Sequence, residues 1–382
     1  MPSPQTPLFY VVDWLPPDFG AVGQYGLLFA REYAQQEQRK VHLIGLTSGP
    51  SSIDKEVYVS GGELEIHRIT ATRYEKGRIV KRLLWTVRTN FRLLREVLRH
   101  PASHKADVLF TGAPPFMLFF AVALRLFRRV RLIYRITDFY PEVMIAELGR
   151  RNLFLSMLQK LTWFLRRQVD FIQALGVDQR QILIAGGIPP TRIVIKRDRS
   201  PVEWTGKEKF LPAPHELIGR KILLYSGNYG LAHETDTLVE GLIRHHRNGS
   251  GRFGLWLNAS GQNADAVAKR LSLARVPFAR STPVALDSLG ALLKSADVHV
   301  ITLRNQFSGI VLPSKVYACI ESRRPILFLG PESSDVHLLC MHSEGLLYRR
   351  VEPGDCESFA AALEYFADQD ISSMRRLDSV RV

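Results

Sequence analysis

Short apolar runs recur along the chain, separated by longer stretches whose apolar residues fall at helical spacing. In the first half the runs lie at 8–12, 41–46, 108–110, 131–135 and 171–175, and residues 24–36 have the pattern of a helix. In the second half they lie at 222–225, 254–257, 298–301 and 325–329, with helical stretches at 234–246, 264–273 and 314–322. Continuous apolar runs predict strands covered on both faces, and strands spaced by helices predict parallel βαβ units. The expected class is α/β. Residues 197–216 are polar and broken by Pro201, Gly206, Pro212 and Pro214, the composition of a linker. The pattern predicts two doubly wound, Rossmann-like domains, 1–200 and 217–382, joined by a linker at 201–216. A ligand crevice is expected at the carboxyl ends of their strands.

Composition narrows the class without changing the fold. With 382 residues, 46% hydrophobic and 23% charged, the chain has material for two globular cores. Cys319, Cys340 and Cys356 lie far apart, which reads as reduced thiols of a cytoplasmic protein. No basic segment followed by an apolar one opens the chain, so a signal peptide is not expected. The longest apolar run, 116–126, is interrupted by Arg125 and is too short to span a bilayer. A soluble protein, or one held on a membrane surface, is expected. The net charge of +14 calls for an anionic partner: nucleic acid, acidic lipid or phosphorylated substrate.

Four loops following predicted strands could carry chemistry. In the first, Gly20 and Gly23 precede a helix, where bare N–H groups can meet an anion or merely form a tight turn. In the second, Gly227 and Asn228 end a strand and are open to phosphate or acceptor contact, or to a turn needing positive φ. The third is the strongest. Around Gly309, Ser314 and Lys315 a small residue, a hydroxyl and an ammonium converge on a helix start, with Pro313 expected in its first turn. Dipole, donors and a point charge together make a cradle for a diphosphate. In the fourth, Asp138 could orient or deprotonate an acceptor hydroxyl or cap a turn, with Glu142 close behind it. The eleven histidines show no metal-binding spacing, there is no nucleophile-elbow or Walker motif, and His42 and His299 read as core residues.

Residues 73–99 carry nine basic side chains against two glutamates. Val80, Leu84, Val87, Phe91, Leu94 and Leu98 form one apolar row of a helix. Beside it run Lys81, Trp85, Arg88, Arg92, Arg95 and Arg99. Such a pair of rows fits an anionic membrane surface, or an apolar row packed on the sheet with a solvated basic row beside it.

Taken in order, five motifs resemble the family 4 glycosyltransferases of the GT-B fold, bacterial exopolysaccharide, O-antigen and colanic-acid type. They are Pro-Pro-Asp-Phe-Gly-Ala-Val-Gly-Gln at 16–24, Asp-Phe-Tyr-Pro-Glu at 138–142, Tyr-Ser-Gly-Asn-Tyr-Gly at 225–230, Val-Leu-Pro-Ser-Lys-Val-Tyr at 311–317 and Val-Glu-Pro-Gly-Asp at 351–355. The resemblance implies a retaining transfer from a nucleoside diphosphate sugar, without metal or other cofactor, to a lipid-linked saccharide acceptor in cell-surface polysaccharide biosynthesis. It implies donor phosphates near Gly20, Gly23, Ser314 and Lys315, Asp138 at the reacting sugar, and a peripheral position on the inner face of the cytoplasmic membrane. The family's ribose-binding glutamate falls on Ala318 here. Glu321, one turn further, is a substitute or a surface ion-pair partner. A sugar-nucleotide epimerase would need more crevice acid–base groups. A membrane-associated or nucleic-acid-binding non-enzyme on this scaffold would fit the charge, but no nucleic-acid module is present.

Overall fold

The computed structural model describes residues 6–18, 21–72, 79–150, 152–206 and 208–369. The chain divides into two compact units, Met1–Arg197 and Asp198–Val382. The first has a sheet of β1 (Leu8–Trp14), β2 (Lys40–Thr47), β3 (Ser52–Val57), β4 (Glu63–Thr70), β5 (Asp107–Thr111), β6 (Arg131–Ile136), β7 (Phe171–Ala174) and β8 (Ile193–Ile195). Their order is β3-β4-β2-β1-β5-β6-β7-β8. All neighbours are parallel except β3, which runs antiparallel to β4 at the edge. Its helices are α1 (Ala21–Glu37), α2 (Ile79–Arg99), α3 (Met117–Ala123), α4 (Glu142–Leu148), α5 (Leu153–Arg166) and α6 (Val177–Ala185).

The second unit has β9 (Lys221–Asn228), β10 (Phe253–Ser260), β11 (Phe278–Ser281), β12 (Val298–Thr302), β13 (Ile326–Leu329) and β14 (Tyr348–Val351). All are parallel, in the order β11-β10-β9-β12-β13-β14. Its helices are α7 (Asp236–Asn248), α8 (Gln262–Leu273), α9 (Leu286–Lys294), α10 (Lys315–Glu321), α11 (Asp335–Met341) and α12 (Cys356–Asp368). Counted from its first strand this is the order 3-2-1-4-5-6 of a doubly wound fold, whose chain reverses direction between β9 and β12.

The apolar runs became these strands because both faces of a parallel sheet are covered: β5, β12 and β13 are buried throughout. The β3–β4 hairpin was not expected, because β3 (Ser-Ile-Asp-Lys-Glu-Val) is polar and exposed, as suits an edge strand. The short strands β8, β11 and β14 were also unforeseen. Residues 198–216 do not form a free linker. The Leu211 N–H donates to Ser295 Oγ at 2.7 Å and Trp204 Nε1 to Glu321 at 2.8 Å, which fastens the segment to α9 and α10 of the second unit. His42 and His299 are buried, as expected, and burial pushes them down to about 4 and about 3.

Candidate functional site

The reversal point of the second unit lies between the carboxyl ends of β9 and β12. Strand β9 ends in Tyr225-Ser226-Gly227-Asn228. Tyr225 is buried and stacked on Tyr229, with ring centres 4.0 Å apart. Gly227 sits at φ +112°, a conformation that favours glycine. From β12 the chain passes a short 3-10 turn, Asn305–Phe307, then Gly309 at φ +72°, and enters α10 at Lys315. Two bonds tie these loops together. The Arg304 N–H donates to the Ala232 carbonyl at 2.8 Å, and His233 Nδ1 lies 2.7 Å from the Thr302 carbonyl. His233 stands edge-on to both tyrosine rings, and burial pushes it down to about 3, with Lys315 contributing.

Lys315 folds back from the helix start over this floor. Its Nζ lies 3.5 Å from the centre of the Tyr225 ring, is buried and makes no hydrogen bond among the described residues. A methyl group placed on Gly227 would lie 3.9 Å from both Lys315 Cε and Nζ, so the ammonium faces the bare backbone of Gly227. Desolvation pulls the lysine down to about 7. A buried ammonium attended only by a ring is stabilised far more by an anion than by what surrounds it. Tyr225 and Gly227 at the end of β9, His233 just beyond it, and Lys315 at the start of α10 thus meet around one buried cation. The tyrosine closes the predicted strand and opens the 225–230 motif but was not singled out as a site residue, and His233, just beyond that motif, carried no signal.

Other expected donor residues lie around it with different roles. The helix opens at Lys315, with Ser314 at the cap position making no side-chain cap bond, so Pro313 stands before the helix instead of in its first turn. Asn228 is exposed, and its carbonyl accepts from Tyr225 Oη at 3.1 Å. Ala318 is buried, and Glu321 lies six residues beyond Lys315, roughly 240° around the helix. Its carboxylate is held by Trp204, so it is turned away from the lysine.

In the first unit Gly20 lies outside the described residues. Gly23 is explained by packing: a Cβ there would come within 1.7 Å of the Trp14 carbonyl, so glycine is what lets α1 close on the end of β1. Asp18 anchors the same loop, accepting from Thr47 Oγ1 at 3.1 Å and the Ser48 N–H at 2.8 Å. Asp138 follows β6 and is half-buried. Both oxygens of Glu142 accept from the fully buried Arg166, at 2.8 and 3.0 Å, which holds the 138–142 loop to α5. The residue that sequence reasoning missed is Asp13, at the carboxyl end of β1. Its Oδ1 is buried without a hydrogen bond among the described residues, and desolvation raises it to about 6. An acidic residue closing an apolar strand was the available signal.

Trp85 also departs from expectation. Its Nε1 donates to the Thr72 carbonyl at 2.7 Å and its ring stacks on Trp14, so it is pinned to the protein and does not face outward. Of the basic row, Arg88, Arg95 and Arg99 are exposed and Arg92 half-exposed, while Arg73, Lys76 and Arg78 lie outside the described residues. Three side chains of metal-ligand type, His42, Glu65 and His100, do meet, with atoms within 4.8 Å of one another. They are committed elsewhere. Nδ1 of His100 accepts from the Ala102 N–H, which leaves the proton on Nε2, and Glu65 is engaged by Lys55 and His42.

No family model matches the chain. It is similar to a probable glycosyltransferase, WbjE, of Pseudomonas aeruginosa, 21% identical over 319 residues that cover 79% of this chain and 76% of the relative. Among solved structures it is similar to a trehalose-6-phosphate structure from E. coli bound with UDP-2-fluoro glucose, with a TM-score of 0.63 at 13% identity, covering 98% of this chain and 94% of that one. It is similar to the sucrose-phosphate synthase of Thermosynechococcus elongatus, with a TM-score of 0.64 at 12% identity, covering 98% and 92%. A Burkholderia xenovorans trehalose-phosphate synthase in complex with glucose-6-phosphate gives a TM-score of 0.63 at 14% identity, covering 97% and 94%. The chain has the GT-B fold that these glycosyltransferases share.

Proposed function

We propose that the protein is a retaining glycosyltransferase that takes a sugar from a nucleoside diphosphate sugar, with the diphosphate bound at Lys315. The observation that carries this reading is the buried Lys315 ammonium, facing Gly227 with no hydrogen-bond partner among the described residues. A diphosphate supplies the missing acceptors, and its charge returns the lysine to its ordinary protonation. The relatives' names and the bound UDP sugar of the E. coli structure support it. Asp138 is the proposed catalytic-side carboxylate. Because the protein's own cation and backbone N–H groups answer the diphosphate charge, no metal is assigned to the reaction.

The acceptor proposed is a lipid-linked saccharide of cell-surface polysaccharide synthesis, met at the inner face of the cytoplasmic membrane. No helix among the described residues is long and apolar enough to cross a membrane. The support for a surface position is the outward face of α2. Leu83, Leu84, Val87 and Phe91 are exposed beside Arg88 and Arg95, Leu84 by 65% and Phe91 by 60%. Helix α5 adds exposed Phe154, Met157 and Phe164, and both helices pack on α3. Exposed apolar rows rimmed by arginine suit an anionic interface.

The test is a panel of sugar nucleotides assayed for transfer and slow hydrolysis with and without EDTA. One donor should be consumed, unaffected by EDTA, with Lys315→Ala losing about 10- to 100-fold in donor affinity, the worth of a charge-assisted hydrogen bond. A variant that binds every nucleoside diphosphate as well as the parent would remove Lys315 from the donor site.

A further inference from the structure

We propose that the first unit carries a second anion site, separate from Lys315, which binds the phosphomonoester headgroup of a lipid. The site is a cavity of about 480 Å³ between the carboxyl-terminal half of α2 and the β3–β4 edge. Its walls bring together four guanidinium side chains, Arg68 of β4 and Arg92, Arg95 and Arg99 of α2, with Ser52 and Glu96. No sequence spacing announces this, because Arg68 reaches the cavity from a strand that was not expected.

The charge in the cavity selects the ligand. Arg68 is paired with Asp54, and Arg99 with Glu96 at 3.4 Å. Arg92 and Arg95 have no ion-pair partner among the described residues, so the cavity holds two uncompensated positive charges. A phosphomonoester carries about −1.5 to −2 at neutral pH and three acceptor oxygens, which matches them. A phosphodiester carries one charge and two free oxygens, and leaves one guanidinium unanswered. Planar guanidinium groups also bind phosphate through paired parallel hydrogen bonds.

Position argues that the phosphate belongs to a lipid. Phe91 lies one turn from Arg95 on the same face of α2, so the exposed apolar row runs directly up to the cavity rim. A lipid whose chain lies along Leu84, Val87 and Phe91 would bring its headgroup to Arg95 and Arg92. This step rests on the membrane reading of α2. The cavity's affinity for phosphate does not.

The experiment uses the full chain and two kinds of probe. Inorganic phosphate and soluble dibutanoyl phosphatidic acid are titrated calorimetrically, and vesicles of phosphatidylcholine containing phosphatidic acid or phosphatidylglycerol, matched in surface charge, are used for co-sedimentation. The double variant Arg92→Gln, Arg95→Gln is compared with Arg129→Gln, Arg192→Gln, which removes equal charge at exposed positions away from α2 and α5. The expected result is saturable one-to-one binding of the soluble phosphomonoester, weakened tenfold or more only in the cavity variant. Vesicles with phosphatidic acid should be preferred about fivefold or more, and the cavity variant should lose that preference. Equal losses in the two variants overturn the site. Vesicle binding without headgroup preference overturns it too, and leaves the membrane reading standing. Phosphate bound in the cavity with no vesicle binding at all overturns the lipid assignment and the membrane reading together.

Discussion

A lysine whose ammonium rests on a tyrosine ring is poorly served in the free protein, and that makes its behaviour testable. Folding takes Lys315 from 10.5 to about 7, so between those values the unfolded chain binds more protons and stability rises with pH. Lys315→Met removes the buried charge. It should raise the thermal midpoint of the free protein below pH 7, by on the order of 1–3 kcal/mol of unfolding free energy, while weakening UDP binding about 10- to 100-fold. Calorimetry with and without UDP checks both halves. A diphosphate prefers the protonated lysine, so UDP affinity in the parent should fall about tenfold per pH unit above pH 7, and the fall should vanish in the methionine variant. The Gly309–Lys315 segment was legible from sequence because proline, serine and lysine after a strand announce a helix start. Tyr225 as the ring beneath the lysine was not legible, since only the pairing of β9 with β12 brings them together.

At the scale of the element, α2 shows where periodicity stops informing. The apolar row 84–87–91–94–98 was visible in the sequence, yet in the first half of the helix it is the opposite face that is buried. Thr86, Thr89 and Asn90 turn inward, with the Asn90 amide donating to the Pro115 carbonyl at 2.7 Å, and Leu84, Val87 and Phe91 turn out. Only from Leu93 onward, with Leu94 and Val97, does the apolar side pack inward. A helical repeat fixes which residues share a face but not which face meets the sheet. The outward row has a measurable consequence. Leu84→Asp with Phe91→Asp should leave the melting temperature within about a degree, because exposed sites contribute little to stability. The same change should cut co-sedimentation with anionic vesicles at least tenfold. Undiminished sedimentation would take α2 out of the interface.

For the whole molecule, each unit carries its own sheet, and the second its own cluster of buried core residues around Leu223, Leu255, Val300 and Phe359. Differential scanning calorimetry should therefore resolve two transitions, and UDP should shift only the one belonging to the second unit. A UDP-induced shift of both transitions by the same amount would mean that the units unfold as one.

The α/β class, the alternation of strands with helices, two units and the helix start that follows Gly309 were legible from sequence alone. They rest on local properties: which residues are apolar, how they are spaced, and which residue types open a helix. The roles of Glu142, Trp85, Asp13 and Glu321, the polar β3–β4 edge, and the meeting of Arg68 with the arginines of α2 were decided by tertiary structure. Each depends on a partner distant in sequence, and a side chain's partner is set by which strands pair and which helix face turns inward. At Lys315 the two kinds of information meet, a local motif supplying the charge and the sheet supplying the buried setting, without a hydrogen-bond partner among the described residues, on which the proposed diphosphate site rests.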